Sequence, residues 1–128
     1  MRLRYATLFV VDLQRTLAFY EAAFGLPAGF VHESGHYAEL ETGATMLAFA
    51  AHALAREVVG VPYGEASPDR PPPGFEIGLG VADVRAAFAR ATKAGAVAVK
   101  TPTEMPWGQT VAYVRDPDGH LIVLVEGD

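Results

Sequence analysis

The stretch Tyr5–Gly25, YATLFVVDLQRTLAFYEAAFG, decides the fold, because it turns from strand to helix at one residue and its plan returns later in the chain. Residues 5–11 are β-branched and aromatic enough for a strand. Asp12 then offers a side-chain oxygen to the free N–H groups of a helix start. Leu13, Leu17, Tyr20 and Phe24 fall on one stripe of a 3.6-residue period, and Gly25 is a C-cap before Pro27. The same order recurs in FEIGLGVADVRAAFARATKAG, residues 75–95. There Asp83 is the N-cap, Val84, Phe88, Ala91 and Ala94 form the stripe, and Gly95 ends it.

Three strands are predicted after each helix, near 29–33, 36–41 and 45–50 and again near 96–100, 109–115 and 120–126, with turn signals at Ser34-Gly35 and Thr42-Gly43. Residues 51–73 carry Pro62, Gly64, Pro68 and Pro71-Pro72-Pro73, whose prolines cannot donate ladder bonds. They form a linker with one short helix at 51–57. Leu8, Val10 and Asp12 match Leu79, Val81 and Asp83 at an offset of 71, and Tyr37, Gly43 and Met46 match Tyr113, Gly119 and Ile122 at an offset of 76. One duplication accounts for both registers. The expected fold is α+β in a single domain, residues 1–128: two βαβββ modules, about 1–50 and 74–128, forming paired curved mixed sheets around a cleft. By strand alternation Ala6, Leu8 and Val10 pack on the first helix while Tyr5, Thr7 and Phe9 line the cavity. Ile77, Leu79 and Val81 pack beneath the second helix while Glu76, Gly78 and Gly80 face inward.

The composition narrows the function classes. No cysteine is present, which removes disulfides, thiolate metal sites and cysteine nucleophiles and suits a reducing cytoplasm. The formal charge is −5 with scattered basic residues, which disfavours nucleic acid, and no apolar run is long enough to cross a membrane. A small-molecule ligand is the expected partner.

Several short motifs read as structure. His32-Glu33-Ser34-Gly35-His36 has the zinc-protease spacing but spans a Ser-Gly turn between strands, whereas that signature needs a continuous helix. Asp116-Pro117-Asp118-Gly119 is a tight turn, not the twelve-residue calcium loop. Gly78-Leu79-Gly80 lacks the third glycine of a dinucleotide fingerprint.

The opening MRLRYATLFVVDLQRTLAFYEAAFGL and the closing WGQTVAYVRDPDGHLIVLVE resemble the vicinal-oxygen-chelate superfamily, which includes glyoxalase I, extradiol dioxygenases, fosfomycin-resistance enzymes and bleomycin-resistance proteins. In its metal-dependent members, ligands stand early in the first strand and in the last strand of each half. The resemblance places these on Tyr5, Glu76, Leu47 and Val123. Leucine and valine have no donor, and a neutral phenol with a pKa of about 10 is a poor ligand near neutrality. Only Glu76 is suited to a metal, and one carboxylate does not hold a catalytic ion. The departure resembles the bleomycin-resistance branch, to which Trp107-Gly108 is also similar.

The resemblance and the residues together imply a metal-independent binding protein without a cofactor, sequestering an antibiotic or other aromatic compound. Tyr5, Thr7, Phe9, Leu47, Glu76, Trp107, Tyr113 and Val123 are its expected binding residues, and the superfamily implies a homodimer. The alternative is a lyase, isomerase or dioxygenase-type enzyme using Glu76 as base or metal ligand, or a metal held by His52 or His120.

Overall fold

The computed structural model describes residues 1–127. The chain forms two compact units. The first comprises Met1–Glu21 and Gly25–Glu65; the second comprises Ala22–Phe24 and the chain from Ala66 onward.

In the first unit, β1 (Tyr5–Val10) leads into α1 (Leu13–Phe24), of which Ala22–Phe24 count with the second unit, followed by β2 (Ala28–Val31), β3 (Tyr37–Leu40), β4 (Met46–Ala51) and α2 (His52–Val59). Asp12 caps α1 as its sequence promises: it sits in extended backbone and its side chain accepts from the Arg15 N–H at 3.1 Å. Gly25 ends α1 at φ 68°, and its N–H donates to the Glu21 carbonyl. The sheet order is β1-β4-β3-β2, with β1 and β4 parallel and the other pairs antiparallel.

The buried side of α1 is rotated from the expected stripe. Leu13, Thr16, Tyr20 and Ala23 are buried, while Leu17 and Phe24 lie on its flanks. Thr16 can be buried because its hydroxyl donates to the Asp12 carbonyl at 2.9 Å. Tyr20 meets Phe49 of β4 with ring centroids 4.7 Å apart, so α1 covers the sheet face that carries Leu8 and Phe49.

In the second unit, β5 (Glu76–Val81) leads into α3 (Val84–Lys93), then β6 (Val97–Glu104), β7 (Thr110–Arg115) and β8 (Leu121–Glu126). Asp83 caps α3 by accepting from the Ala86 N–H at 3.0 Å. The order β5-β8-β7-β6 follows the first sheet strand for strand, again with the outer pair β5 and β8 parallel. Val84, Ala112 and Leu124 form the core under α3, with Phe24, Leu79, Val81, Ala87 and Phe88 packed against it. Two mixed four-stranded sheets, each flanked by helix, are the expected βαβββ architecture.

Two further features differ from expectation. Strand β6 continues to Glu104, four residues past its predicted end. As the outermost strand it tolerates Pro102, and its register slips between Lys100 and Thr103. Leu47 pairs with Ala6, on the face with Leu8 and Phe49 that α1 covers; the residue opposite Thr7 is Ala48. On the second sheet Val123 pairs with Gly78. The strand mate of Val123 is therefore Ala48, at an offset of 75 instead of 76. A shift of one residue turns a side chain to the other face of a sheet.

Candidate functional site

The faces turned away from α1 and α3 carry the chemistry, and each sheet builds its own. On the first, the register puts Tyr5, Thr7 and Phe9 of β1 on one side with Met46, Ala48 and Ala50 of β4, Tyr37 and Glu39 of β3, and Phe30 of β2. Ala48 and Ala50 are small and buried, and rings stand around them. Phe30 and Tyr37 have centroids 6.5 Å apart, and Phe9 lies 4.9 Å from Tyr63, which the segment after α2 folds back onto this face. The Tyr37 hydroxyl donates to Glu39 Oε2 at 2.8 Å. Burial, then the bond to Glu39 and its negative charge, push the Tyr37 phenol up to about 12. It therefore stays a neutral donor at physiological pH.

On the second sheet, Glu76 and Tyr113 form the corresponding pair: the phenol donates to Glu76 Oε1 at 3.0 Å. Burial first, and then Glu76, raise this phenol as well. Tyr113 is opposite Val123, which is opposite Gly78, so the three lie in one row across the sheet. Glu76, Gly78 and Gly80 are exposed along β5. A Cβ at Gly78 would meet Val123 at an ordinary 3.5 Å, so there is room there for the edge of a ligand.

The expected site residues divide accordingly. Tyr5, Thr7 and Phe9 share the open face of the first sheet, and Glu76, Tyr113 and Val123 share that of the second. Leu47 lies on the covered face. Trp107 stands in the turn between β6 and β7, 69 % exposed, with its indole N–H donated to Gln109. The sequence reading missed Glu39, Phe30 and Tyr63 as residues of this surface. Glu39 was detectable, since it lies two residues from Tyr37 on a strand and must share its face. Tyr63 carried no such signal, because the linker's folding back onto Phe9 is a non-local contact.

The residues do not suit a metal of the kind used by the superfamily's enzymes. Among the described residues no group of three or more His, Asp or Glu side chains could hold one. Replacing Leu47 by Ala48 as the strand mate of Val123 supplies no donor either. His120 is buried and engaged through Nδ1 with Asp116 at 3.1 Å, and His52 through Nδ1 with Tyr63 at 2.6 Å. Asp116 Oδ1 also accepts the N–H groups of Asp118 and His120, which closes a tight turn with Gly119 at φ 90°. His32 and His36 flank a hairpin turn organised by Ser34.

Comparison with known proteins agrees with this architecture. Residues 2–124 match the model of the Glyoxalase/Bleomycin resistance protein/Dioxygenase superfamily. The chain is 28 % identical over 129 aligned residues to YraH of Bacillus subtilis (strain 168), covering 97 % of each protein. Among solved structures it is similar to a glyoxalase-related enzyme from Fulvimarina pelagi, with a TM-score of 0.86 and 23 % identity over 99 % of this chain and 88 % of that one. It is also similar to a protein of unknown function from Agrobacterium tumefaciens str. C58, with a TM-score of 0.80 and 27 % identity over 100 % and 95 % of the two chains. The chain belongs to the Glyoxalase/Bleomycin resistance protein/Dioxygenase superfamily.

Proposed function

We propose that this protein is a metal-independent binder of small aromatic amines, in the manner of the superfamily's bleomycin-resistance branch, acting by stoichiometric capture. The observation that carries this reading is the repeated phenol–carboxylate pair, Tyr37–Glu39 on one open face and Tyr113–Glu76 on the other. Each carboxylate has one oxygen occupied by a neutral donor and another available to an ammonium group. Rings around the alanines of the first sheet offer stacking surface, and the glycines of the second leave space. Fixed aromatic rings beside a carboxylate also favour a cation by attraction to their π faces.

The test is a thermal-shift and calorimetric screen of EDTA-dialysed protein against tryptamine and aminoacridine, with naphthalene sulfonate as the anionic control. Saturable binding of the amines alone supports the reading. Stabilisation that appears only after Zn²⁺, Ni²⁺ or Fe²⁺ is added would overturn it.

The Tyr113–Glu76 pair also favours a second reading, a lyase or isomerase in which Glu76 takes a proton from carbon and Tyr113 supplies one. Turnover abolished by Glu76→Gln would select it. As a binder the protein is proposed to be a cytoplasmic homodimer; Val31 on β2 and Val97 and Val99 on β6, exposed on the outermost strands, support association of copies. Sedimentation velocity tests that part.

A further inference from the structure

A hollow of about 630 Å³ lies within the first unit at the heads of its two helices. Its walls include Asp12 and Leu13 of α1, His36, and His52, Arg56 and Glu65. His52, the first residue of α2, is only 6 % exposed. Its ring stacks on Tyr63, with centroids 5.8 Å apart and planes 19° from parallel, and its Nδ1 is 2.6 Å from the Tyr63 hydroxyl. Burial raises the Tyr63 phenol, which keeps its proton. With that proton donated to Nδ1, the imidazole carries its own hydrogen on Nε2, a tautomer assigned from this contact. Nε2 is buried and has no hydrogen-bond partner. The nearest carboxylate oxygen, Glu65 Oε1, is 3.9 Å away, too far for a hydrogen bond.

The surroundings favour an acceptor with negative charge. The N-cap of α2 is Ala51, which has no side chain able to cap, so the first N–H groups of the helix are left to another acceptor. Arg56, on the next turn, brings a guanidinium to the same hollow, where it pairs with Glu65. Glu65 is thus a carboxylate of the chain itself, bound to the cation but short of the buried imidazole. A dianion is disfavoured because Asp12 and Glu65 are both in the wall. Asp12 itself is occupied by the Arg15 N–H.

We propose that this hollow binds the carboxylate of a small organic acid between the Arg56 guanidinium and His52 Nε2–H at the head of α2, displacing Glu65. Val11, Leu13 and Ala53 give the acid's carbon body an apolar wall. The site is independent of amine capture on the open faces, and either proposal can fail without the other.

The experiment titrates ¹⁵N-labelled protein at pH 7 with sodium propionate, with sodium chloride and inorganic phosphate as controls, following the His52 imidazole resonances. Saturable movement of the Nε2 signal by propionate and not by chloride is expected. Arg56→Gln should weaken the effect by about tenfold, the loss of one charge-assisted contact. Glu65→Gln should tighten it several-fold, because the internal competitor loses its charge. An unmoved His52 in both the wild type and Glu65→Gln overturns the proposal. So does a Glu65→Gln variant that loses binding as Arg56→Gln does while its melting temperature is unchanged, or phosphate binding as well as propionate.

Discussion

The open face of the first sheet is crowded, with Phe9, Phe30, Tyr37 and Tyr63 around Ala48 and Ala50, whereas the matching face of the second is bare along β5, where Gly78 and Gly80 stand beside Glu76. Strand order, parallel outer pair and aspartate-capped helix are the same in both. The covered faces resemble one another because each must bury apolar surface against a helix. The open faces bear no such requirement and differ. What both share is a tyrosine hydroxyl donated to a glutamate, reached by different routes: two residues apart on β3 in one case, and across strands from β7 to β5 in the other.

The likeness of the covered faces is tested most severely by emptying them. Phe49 and Leu124 occupy matching strand positions and both are fully buried. Phe49→Ala should cost about 3–5 kcal/mol and Leu124→Ala about 2–5 kcal/mol in urea unfolding. A loss below 1 kcal/mol at either position would show that its half is not packed as described.

Gly43 and Gly119 sharpen the contrast, since both have positive φ but different surroundings. Nothing lies within 4 Å of a Cβ at Gly43, while at Gly119 it would fall 2.5 Å from Arg115 Nη2 and 2.7 Å from the Ser67 carbonyl oxygen. Arg115 there holds the linker, donating to the carbonyls of Ser67, Arg70 and Gly119. Gly43→Ala should cost only about 1–2 kcal/mol, the backbone penalty alone. Gly119→Ala should cost about 3 kcal/mol, adding loss of the Arg115 contacts to that penalty. Equal melting temperatures for the two variants would contradict the clamp.

Glu39→Gln and Glu76→Gln compare the two pairs directly. Each should weaken aminoacridine binding by roughly tenfold if each carboxylate meets the ammonium group. Loss at Glu76 alone would assign capture to the barer face.

The smallest effect is a pH signature. Tyr37, with its phenol near 12, ionises after the unfolded chain's tyrosines do, at about 10. Its contribution to stability is therefore fully present below pH 10 and is lost as pH rises from about 10 to 12. Ultraviolet titration should show a late-ionising component that shrinks by one tyrosine in Tyr37→Phe, while the raised phenols of Tyr63 and Tyr113 remain. Glu39→Gln should lower the late pKa of Tyr37 only in part, because burial, its largest single cause, remains.

Much of this was legible in the sequence. Asp12 and Asp83 mark both helix starts because a capping aspartate acts on backbone three residues away, a local contact. Alternation put Tyr5, Thr7 and Phe9 together for the same reason. Leu47 was misplaced because the match of Tyr37 with Tyr113 suggested a register that pairing does not follow: Tyr113 faces Val123, while the residue facing Ala48 is Glu39. Register between strands is decided by pairing partners and turn lengths, which a single chain of letters does not specify to one residue. The hollow at His52 was invisible for a related reason. It depends on Tyr63 and Glu65 returning from the linker, and on a buried nitrogen that only coordinates reveal.

The most direct test of the central claim is calorimetric titration of EDTA-dialysed protein with aminoacridine, repeated after addition of Zn²⁺ or Ni²⁺. The account predicts saturable binding without metal, unchanged in affinity and stoichiometry when metal is added, and weakened by Glu76→Gln. Binding or turnover that requires the added metal would contradict it.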